Sequence, residues 1–426
     1  MEAIALFGSF TVLILLSVPI GFAIGIATIL ALIFFSDIPL VLVTQNCITG
    51  VDSFPLMAIP FFILAGNLMS TGGVAKRLLD FANLCFGAVT GGLGMVTTVA
   101  CMFFAAISGS AVATTSAIGS FMIPAMKEKN YDVGFSASLA AAAGTIGVII
   151  PPSIPIVIYG VVTGTSISDL FIAGFIPGVL MGAVLLLTCF LLSKKNGYKG
   201  TGYWPKSSEV WSAFKSAFWA LLAPIIVLGG IYAGIFTPTE AAVIAVAYSF
   251  IIGFFVYKEL DWKGVYKALY DTMVINGVTT FMVGLSMAFA SYLSLQQLPA
   301  LMAKTLLGIT DNRIILMVII NAFLLLVGCL IDNIPATIIL SPILLPVVTK
   351  LGMSPITFGV MLVMNLAIGF ITPPYGINLF VASAVAEISM ERMMQYIKWF
   401  LLALLMALAI TAYIPATTMF LVNFFK

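Results

Sequence analysis

Ile150-Pro151-Pro152-Ser153 in the first half of the chain is echoed by Thr372-Pro373-Pro374-Tyr375 in the second, at an offset of 222 residues. Upstream, Ala113-Thr114 is matched by Ala336-Thr337 at 223, and Met122-Ile123-Pro124 by Leu344-Leu345-Pro346 at 222. Each half keeps one order: a polar turn broken by Gly or Pro, an apolar run to a Pro, a short loop, a helix, and a Pro-Pro break. One such agreement arises easily by chance. Three, in order and within one residue of register, predict an internal duplication.

The duplication sits in a chain that is 62% hydrophobic and 8% charged over 426 residues, with a mean hydropathy of +1.19. Average soluble domains are about 25% charged, and a globule this poor in charge has too little polar surface to cover itself. The excess apolar surface must face lipid. At about 20 residues per span, the length holds on the order of 10–13 crossing or re-entrant segments. Pro and Gly interrupt these segments often, with 20 Pro and 37 Gly in the chain. Broken backbone at membrane depth is tolerated only where protein buries it or where it lines a watery cavity. Paired breaks at corresponding positions of two halves therefore point to the binding site of a secondary transporter.

The physical basis is the half-helix end. A helix broken in mid-membrane exposes N–H groups that favour a carboxylate and C=O groups that coordinate Na⁺. The chain has no histidine, which excludes histidine bases, ligands and proton relays and suits an oxygen-ligated cation. Two polar turns supply candidates. Ser108-Gly109-Ser110-Ala111-Val112-Ala113-Thr114-Thr115-Ser116 closes an apolar segment. Asp332-Asn333-Ile334-Pro335-Ala336-Thr337 lies inside the apolar stretch from Ile314 to Val348. An intramembrane carboxylate such as Asp332 is expensive and functional by default, although it could also cap the helix that follows. Ser153, Thr372 and Asn378 beside the Pro-Pro pairs complete the oxygen set.

Other features read as structural. The five cysteines (Cys47, Cys85, Cys101, Cys189, Cys329) lie singly in apolar runs. Five spacings, Gly21/Gly25, Gly87/Gly91, Gly160/Gly164, Gly174/Gly178/Gly182 and Gly230/Gly234, fit close-packing faces. Asn67, Asn276, Asn321 and Asn365 suit interhelical hydrogen bonds, Glu240 a helix N-terminus, and Arg77, Arg313 and Arg392 snorkelling at segment ends. The basic stretch Ser193–Ser216 belongs in the cytoplasm. Lys258, Lys263 and Lys267 share that side if an even number of spans intervenes. The N-terminus lacks a charged n-region and reads as a membrane helix, not a cleaved signal. No HExxH or GxxxxGK[ST] pattern occurs, so no enzyme is indicated.

The chain resembles the large membrane subunit of tripartite ATP-independent periplasmic (TRAP) transporters, the DctM-like proteins. The resemblance rests on Ala58-Ile59-Pro60-Phe61-Phe62, Ser70-Thr71-Gly72-Gly73-Val74-Ala75, Ser108-Gly109-Ser110 through Ile118-Gly119-Ser120, and Gly144-Thr145-Ile146-Gly147. It continues with Phe171-Ile172-Ala173-Gly174, Gly229-Gly230-Ile231-Tyr232, Phe236 to Ala242, and Ile371 to Phe380. It implies an all-α polytopic membrane protein of the bacterial inner membrane. The implied fold has two inverted structural repeats with re-entrant helical hairpins, and an elevator-type transport domain plus a scaffold.

The implied division has four parts. N-terminal scaffold helices occupy 1–55. The first repeat spans 56–192, with its hairpin turn near 108–116 and its broken helix near 147–153. A cytoplasmic loop and connecting scaffold helices occupy 193–277. The second repeat and C-terminal helix take 278–426, with a turn near 329–337 and a break near 369–376. The implied function is Na⁺-coupled import of an organic acid, whether a C4-dicarboxylate, sialic acid or another sugar acid, with Na⁺ as coupling ion and no cofactor. The implied partners are a small four-helix membrane subunit and a periplasmic substrate-binding protein. Ser108, Gly147, Pro151 and Pro152 resemble one Na⁺ site; Asp332, Asn333, Gly369, Thr372 and Pro373 resemble the other. Ser110, Thr114, Asp332 and Asn333 would face substrate. Some sugar-acid members carry Asp where this chain has Thr114. A self-sufficient ion-coupled carrier without a binding protein, and a channel without coupling, are the alternatives.

Overall fold

The computed structural model describes residues 2–200, 202–308 and 312–425, and these contain helices and no strand. In chain order they are α1 (Glu2–Leu15), α2 (Ile20–Phe35), α3 (Val41–Val51), α4 (Ala58–Thr71), α5 (Val74–Phe86), α6 (Gly92–Ser108) and α7 (Ala111–Glu128). Then come α8 (Val133–Gly144), α9 (Ile154–Thr163), α10 (Ile167–Asn196), α11 (Ser207–Tyr232), α12 (Pro238–Ile251) and α13 (Trp262–Leu295). The chain closes with α14 (Leu298–Leu307), α15 (Arg313–Gly328), α16 (Asn333–Lys350), α17 (Pro355–Gly369), α18 (Ile377–Ala386), α19 (Met390–Tyr413) and α20 (Ala416–Phe425). Among the described residues, seven helices are long and apolar enough to cross a membrane. Most of the others are shorter, and Gly or Pro residues end several of them. Gly109 in the left-handed region separates α6 from α7, and the Pro-Pro breaks separate α8 from α9 and α17 from α18.

The duplication is visible element by element. α7 and α16 begin and end 222 residues apart, and α8 and α17 begin at the same offset. The Pro151–Pro152 and Pro373–Pro374 bonds are both cis. The same shift carries α4 onto the second half of α13 and α5 onto α14. The 34-residue α13 runs unbroken through 277–278, so the connecting segment and the second repeat share one helix.

Packing between the halves is reciprocal. α7 lies on α18 and α16 on α9; α8 lies on α19 and α17 on α10. Such isologous contacts are the mark of a two-fold relation.

The basic residues orient the halves. Lys194 and Lys195 end α10, placing that end in the cytoplasm. Two spans, α11 and α12, then return the chain to Lys258, so both basic clusters share that side. The Gly91 N–H donates to the Tyr198 carbonyl (3.1 Å), and Tyr131 stacks on Tyr198 at 4.3 Å. The α6–α7 hairpin therefore opens toward the cytoplasm. The Tyr159 hydroxyl, near the far end of α9, donates to the Pro355 carbonyl (2.7 Å). That bond sets the open end of the α15–α16 hairpin on the opposite face. The repeats are inverted.

Not every glycine pair is a packing face. Gly21 and Gly25 do bring α2 onto Met282 and Leu285 of α13, and Gly174, Gly178 and Gly182 seat α10 against Ile149, Ile150 and Met102. Gly164 and Gly234 instead have positive φ with open space around them. They end helices, a conformation that costs glycine nothing, so Gly160/Gly164 and Gly230/Gly234 are not helix–helix seams. Arg77 does more than snorkel: its guanidinium pairs with Glu259 (2.7 Å) and covers the Tyr257 ring (3.8 Å), fixing α5 beside the cytoplasmic end of α12.

Candidate functional site

The first turn is tied by its own hydroxyls. Ser110 is the N-cap of α7 and accepts from the Ala113 N–H (3.3 Å). Thr114 Oγ1 donates to the Ser110 carbonyl (2.7 Å) and lies 2.9 Å from Ser108 Oγ. The Ser108 hydroxyl also donates to the Ser110 carbonyl (3.4 Å). Ser108 and Thr114 are buried.

The broken helix meets this turn closely. A β-carbon at Gly147 would stand 2.5 Å from the Ser110 carbonyl oxygen and 2.6 Å from Thr114 Oγ1. One at Gly109 would stand 2.8 Å from the Pro152 carbonyl oxygen. Only glycine permits either approach. Ser108, Ser110, Thr114, Gly147 and Pro152 are thus brought into one neighbourhood of hydroxyl and carbonyl oxygens, with Pro151 next in chain. Oxygen donors of this kind suit a hard cation.

The second turn has the matching arrangement. Gly328 at the end of α15 lies directly against Gly369, with the two backbones in contact. Asn333 is buried, its amide donating to the Val363 carbonyl (3.3 Å) and its oxygen accepting from Thr337 (3.0 Å). Thr372 donates to the Ile368 carbonyl (2.9 Å) across the start of the second break, ahead of Pro373. Asp332 occupies the N-cap position of α16, with its carboxylate directed at the Asn333 and Ile334 amides.

Ser153 and Asn378 each hold a backbone carbonyl, and the Asn378 side-chain oxygen is buried without a hydrogen-bond partner. Ser153 donates to the Val148 carbonyl (2.6 Å) and caps α9, while Asn378 donates to the Ala141 carbonyl (3.1 Å), joining the repeats.

A cleft of about 430 Å³ lies beside the first turn. Gly66, Asn67 and Ser70 of α4 form one wall, and Ser110, Ser116 and Ser120 of the hairpin line the other. Ser108 also reaches it, whereas Thr114, Asp332 and Asn333 lie outside its lining. Gly66 makes the wall possible: a β-carbon there would stand 3.2 Å from Ser108 Cα. Asn67, expected to serve helix packing, does bond Thr272 of α13 (2.9 Å) and lines the cleft as well. Ser116 ends the first polar turn, whereas Ser120 lies beyond it. Ala113, Ser116, Ala117 and Ser120 follow helical spacing and share one face, which is the signal that finds them. Among the described residues, no three His, Cys, Asp or Glu side chains gather.

The family model of the DctM component of the tripartite ATP-independent periplasmic transporters matches residues 7–417. The chain belongs to this family. It is a transporter component, not an enzyme, and a multi-pass protein of the bacterial inner membrane. An isethionate TRAP transporter permease of Oleidesulfovibrio alaskensis is 44% identical over 97% of the chain. The chain spans 65% of that relative's length. The C4-dicarboxylate TRAP transporter large permease of Rhodobacter capsulatus is 35% identical, with 99% of each covered. Among solved structures, the YdaH transporter of Alcanivorax borkumensis superposes with a TM-score of 0.63 at 14% identity, covering 87% of this chain and 86% of that one. That likeness concerns the fold.

Proposed function

We propose that this DctM-family chain is the large membrane subunit of a Na⁺-coupled importer of a small organic acid. In this reading it works with a small four-helix membrane subunit and a periplasmic substrate-binding protein. The observation that carries the reading is the pair of inverted hairpin turns, each seated on a helix broken at Pro-Pro, with hydroxyl and carbonyl oxygens gathered at the first. Ser108, Gly147, Pro151 and Pro152 are the proposed first Na⁺ site. Asp332, Asn333, Gly369, Thr372 and Pro373 are the second. Ser110, Thr114, Asp332 and Asn333 are the proposed substrate set, with Ser110 on the cleft. The relatives named for isethionate and for C4-dicarboxylates support an organic acid; sialic acid and other sugar acids fall in the same class.

Movement would be of the elevator type. The moving unit consists of α6–α10 and α15–α19, and the fixed frame of α1–α4 with α11–α13. The cleft lies between α4 of the frame and the hairpin, where such a unit would release its cargo to the cytoplasm.

Leaving out one component at a time tests the tripartite reading. Proteoliposomes holding this chain and its small subunit are expected to take up the acid only when the binding protein is supplied. Unchanged uptake without it would overturn this reading in favour of a self-sufficient carrier.

A further inference from the structure

A second cavity, of about 480 Å³, lies on the same half of the membrane but away from the candidate site. Every side chain lining it is apolar. One wall is α6, with Met102, Phe103 and Ala106, continued by Ile150 at the first break; the other is α11, from Phe214 to Leu228. Leu78 and Phe81 of the amphipathic helix α5 and Phe175 and Val179 of α10 complete its lining. Phe175, Val179, Phe218 and Ile225 are exposed on the membrane-facing surface, so the cavity opens sideways into lipid.

Three observations identify what fills it. Apolar cavities do not hold water, and this one opens onto hydrocarbon. Its length is enough for one acyl chain: the α11 wall from Phe214 to Leu228 rises about 21 Å, which spans the roughly 15 Å of one leaflet's hydrocarbon and passes the midplane. A cation stands at the correct end. Phe214 stacks on Trp211 (5.4 Å), and Lys215 Nζ lies 5.7 Å from the Trp211 ring, close to the cytoplasmic interface where lipid phosphates sit.

We infer that this cavity is a binding site for an anionic phospholipid of the cytoplasmic leaflet, with one acyl chain between α6 and α11 ending near Ile150 and its headgroup on Lys215. The inference does not depend on the transported substrate. It places lipid along the seam between the hairpin and α11, beside the residue that precedes Pro151.

Photolabelling tests it directly. The full chain with its small subunit is reconstituted into phosphatidylethanolamine–phosphatidylglycerol vesicles. These carry a trace of phosphatidylglycerol with a diazirine near the end of one acyl chain. After irradiation, label is expected on Met102, Phe103 and Ile150 at no less than about fivefold the level on Met273 and Val278, which are open lipid-facing positions of α13. Filling the cavity with Ala106→Phe should remove that excess. Val179→Trp, at the exposed rim, does the same without burdening the interior if Ala106→Phe fails to fold. Lys215→Gln should abolish the preference for labelled phosphatidylglycerol over an equally labelled phosphatidylcholine. Label spread evenly over the lipid-facing helices, or an excess that survives the filling variants, would overturn the site. A headgroup preference unchanged by Lys215→Gln would overturn the assignment of Lys215.

Discussion

Asp332→Ala is expected to lower Na⁺-driven uptake by roughly ten- to a hundredfold while the protein folds and joins its small subunit normally. A hydrogen bond to a charged group is worth about 1.5–3 kcal/mol; loss of a charged ligand on that scale, with every 1.4 kcal/mol a factor of ten, gives this range. Loss of the contacts to the Asn333 and Ile334 amides should cost no more than a helix cap, about 0.5–2 kcal/mol, which leaves the protein folded. Asp332→Asn keeps the shape and removes the charge, so a defect of similar size there assigns the effect to charge. Uptake and thermal stability must be read together. Near-normal transport with a lowered Tm would make Asp332 a helix cap and remove it from the ion site.

Gly147→Ala is the second large effect. The added methyl would stand 2.5 Å from the Ser110 carbonyl oxygen and 2.6 Å from Thr114 Oγ1. One of these contacts is backbone, which cannot rotate away, so the hairpin turn must lift from the broken helix. Overpacking of this kind costs about 1–3 kcal/mol. The shift also spoils the oxygen cluster, so the apparent Na⁺ affinity of uptake is expected to fall by at least about tenfold. Gly164→Ala is the control, since its methyl would meet nothing within 4 Å and only the positive φ is disturbed. A Gly147→Ala protein with unchanged Na⁺ dependence would separate this contact from ion binding.

These two positions show how unevenly the sequence reveals the structure. Pro-Pro breaks and polar turns are written in residue types that little else explains, so the duplication could be read once the Pro-Pro pairs, the Ala-Thr pairs and Pro124 with Pro346 agreed in register. Asp332 stood out because a carboxylate in an apolar run is costly, although a helix cap explains it as well as a ligand does. The fit of α4 onto the second half of α13 was less visible, because apolar helix positions accept many residues and keep no register in their letters. The direction of a side chain was also hidden. Thr114 and Ser116 are both hydroxyl residues on α7, yet Thr114 turns inward to Ser108 and Ser110 whereas Ser116 lines the cleft. Two residues along a helix is more than half a turn, so the identity of the residue said nothing about its face. Asn67 and Ser70 lie beyond any local signal, since the cleft exists only where α4 meets the hairpin.

The central claim is ion-coupled concentration of an organic acid through paired, inverted hairpins. It is tested most directly by the substrate level inside proteoliposomes containing the chain, its small subunit and its binding protein, under an inward Na⁺ gradient. The expected result is an internal concentration above the external one that collapses when a Na⁺ ionophore is added. Levels that merely equalise, and do so with or without the gradient, would contradict coupling and leave a channel as the better description.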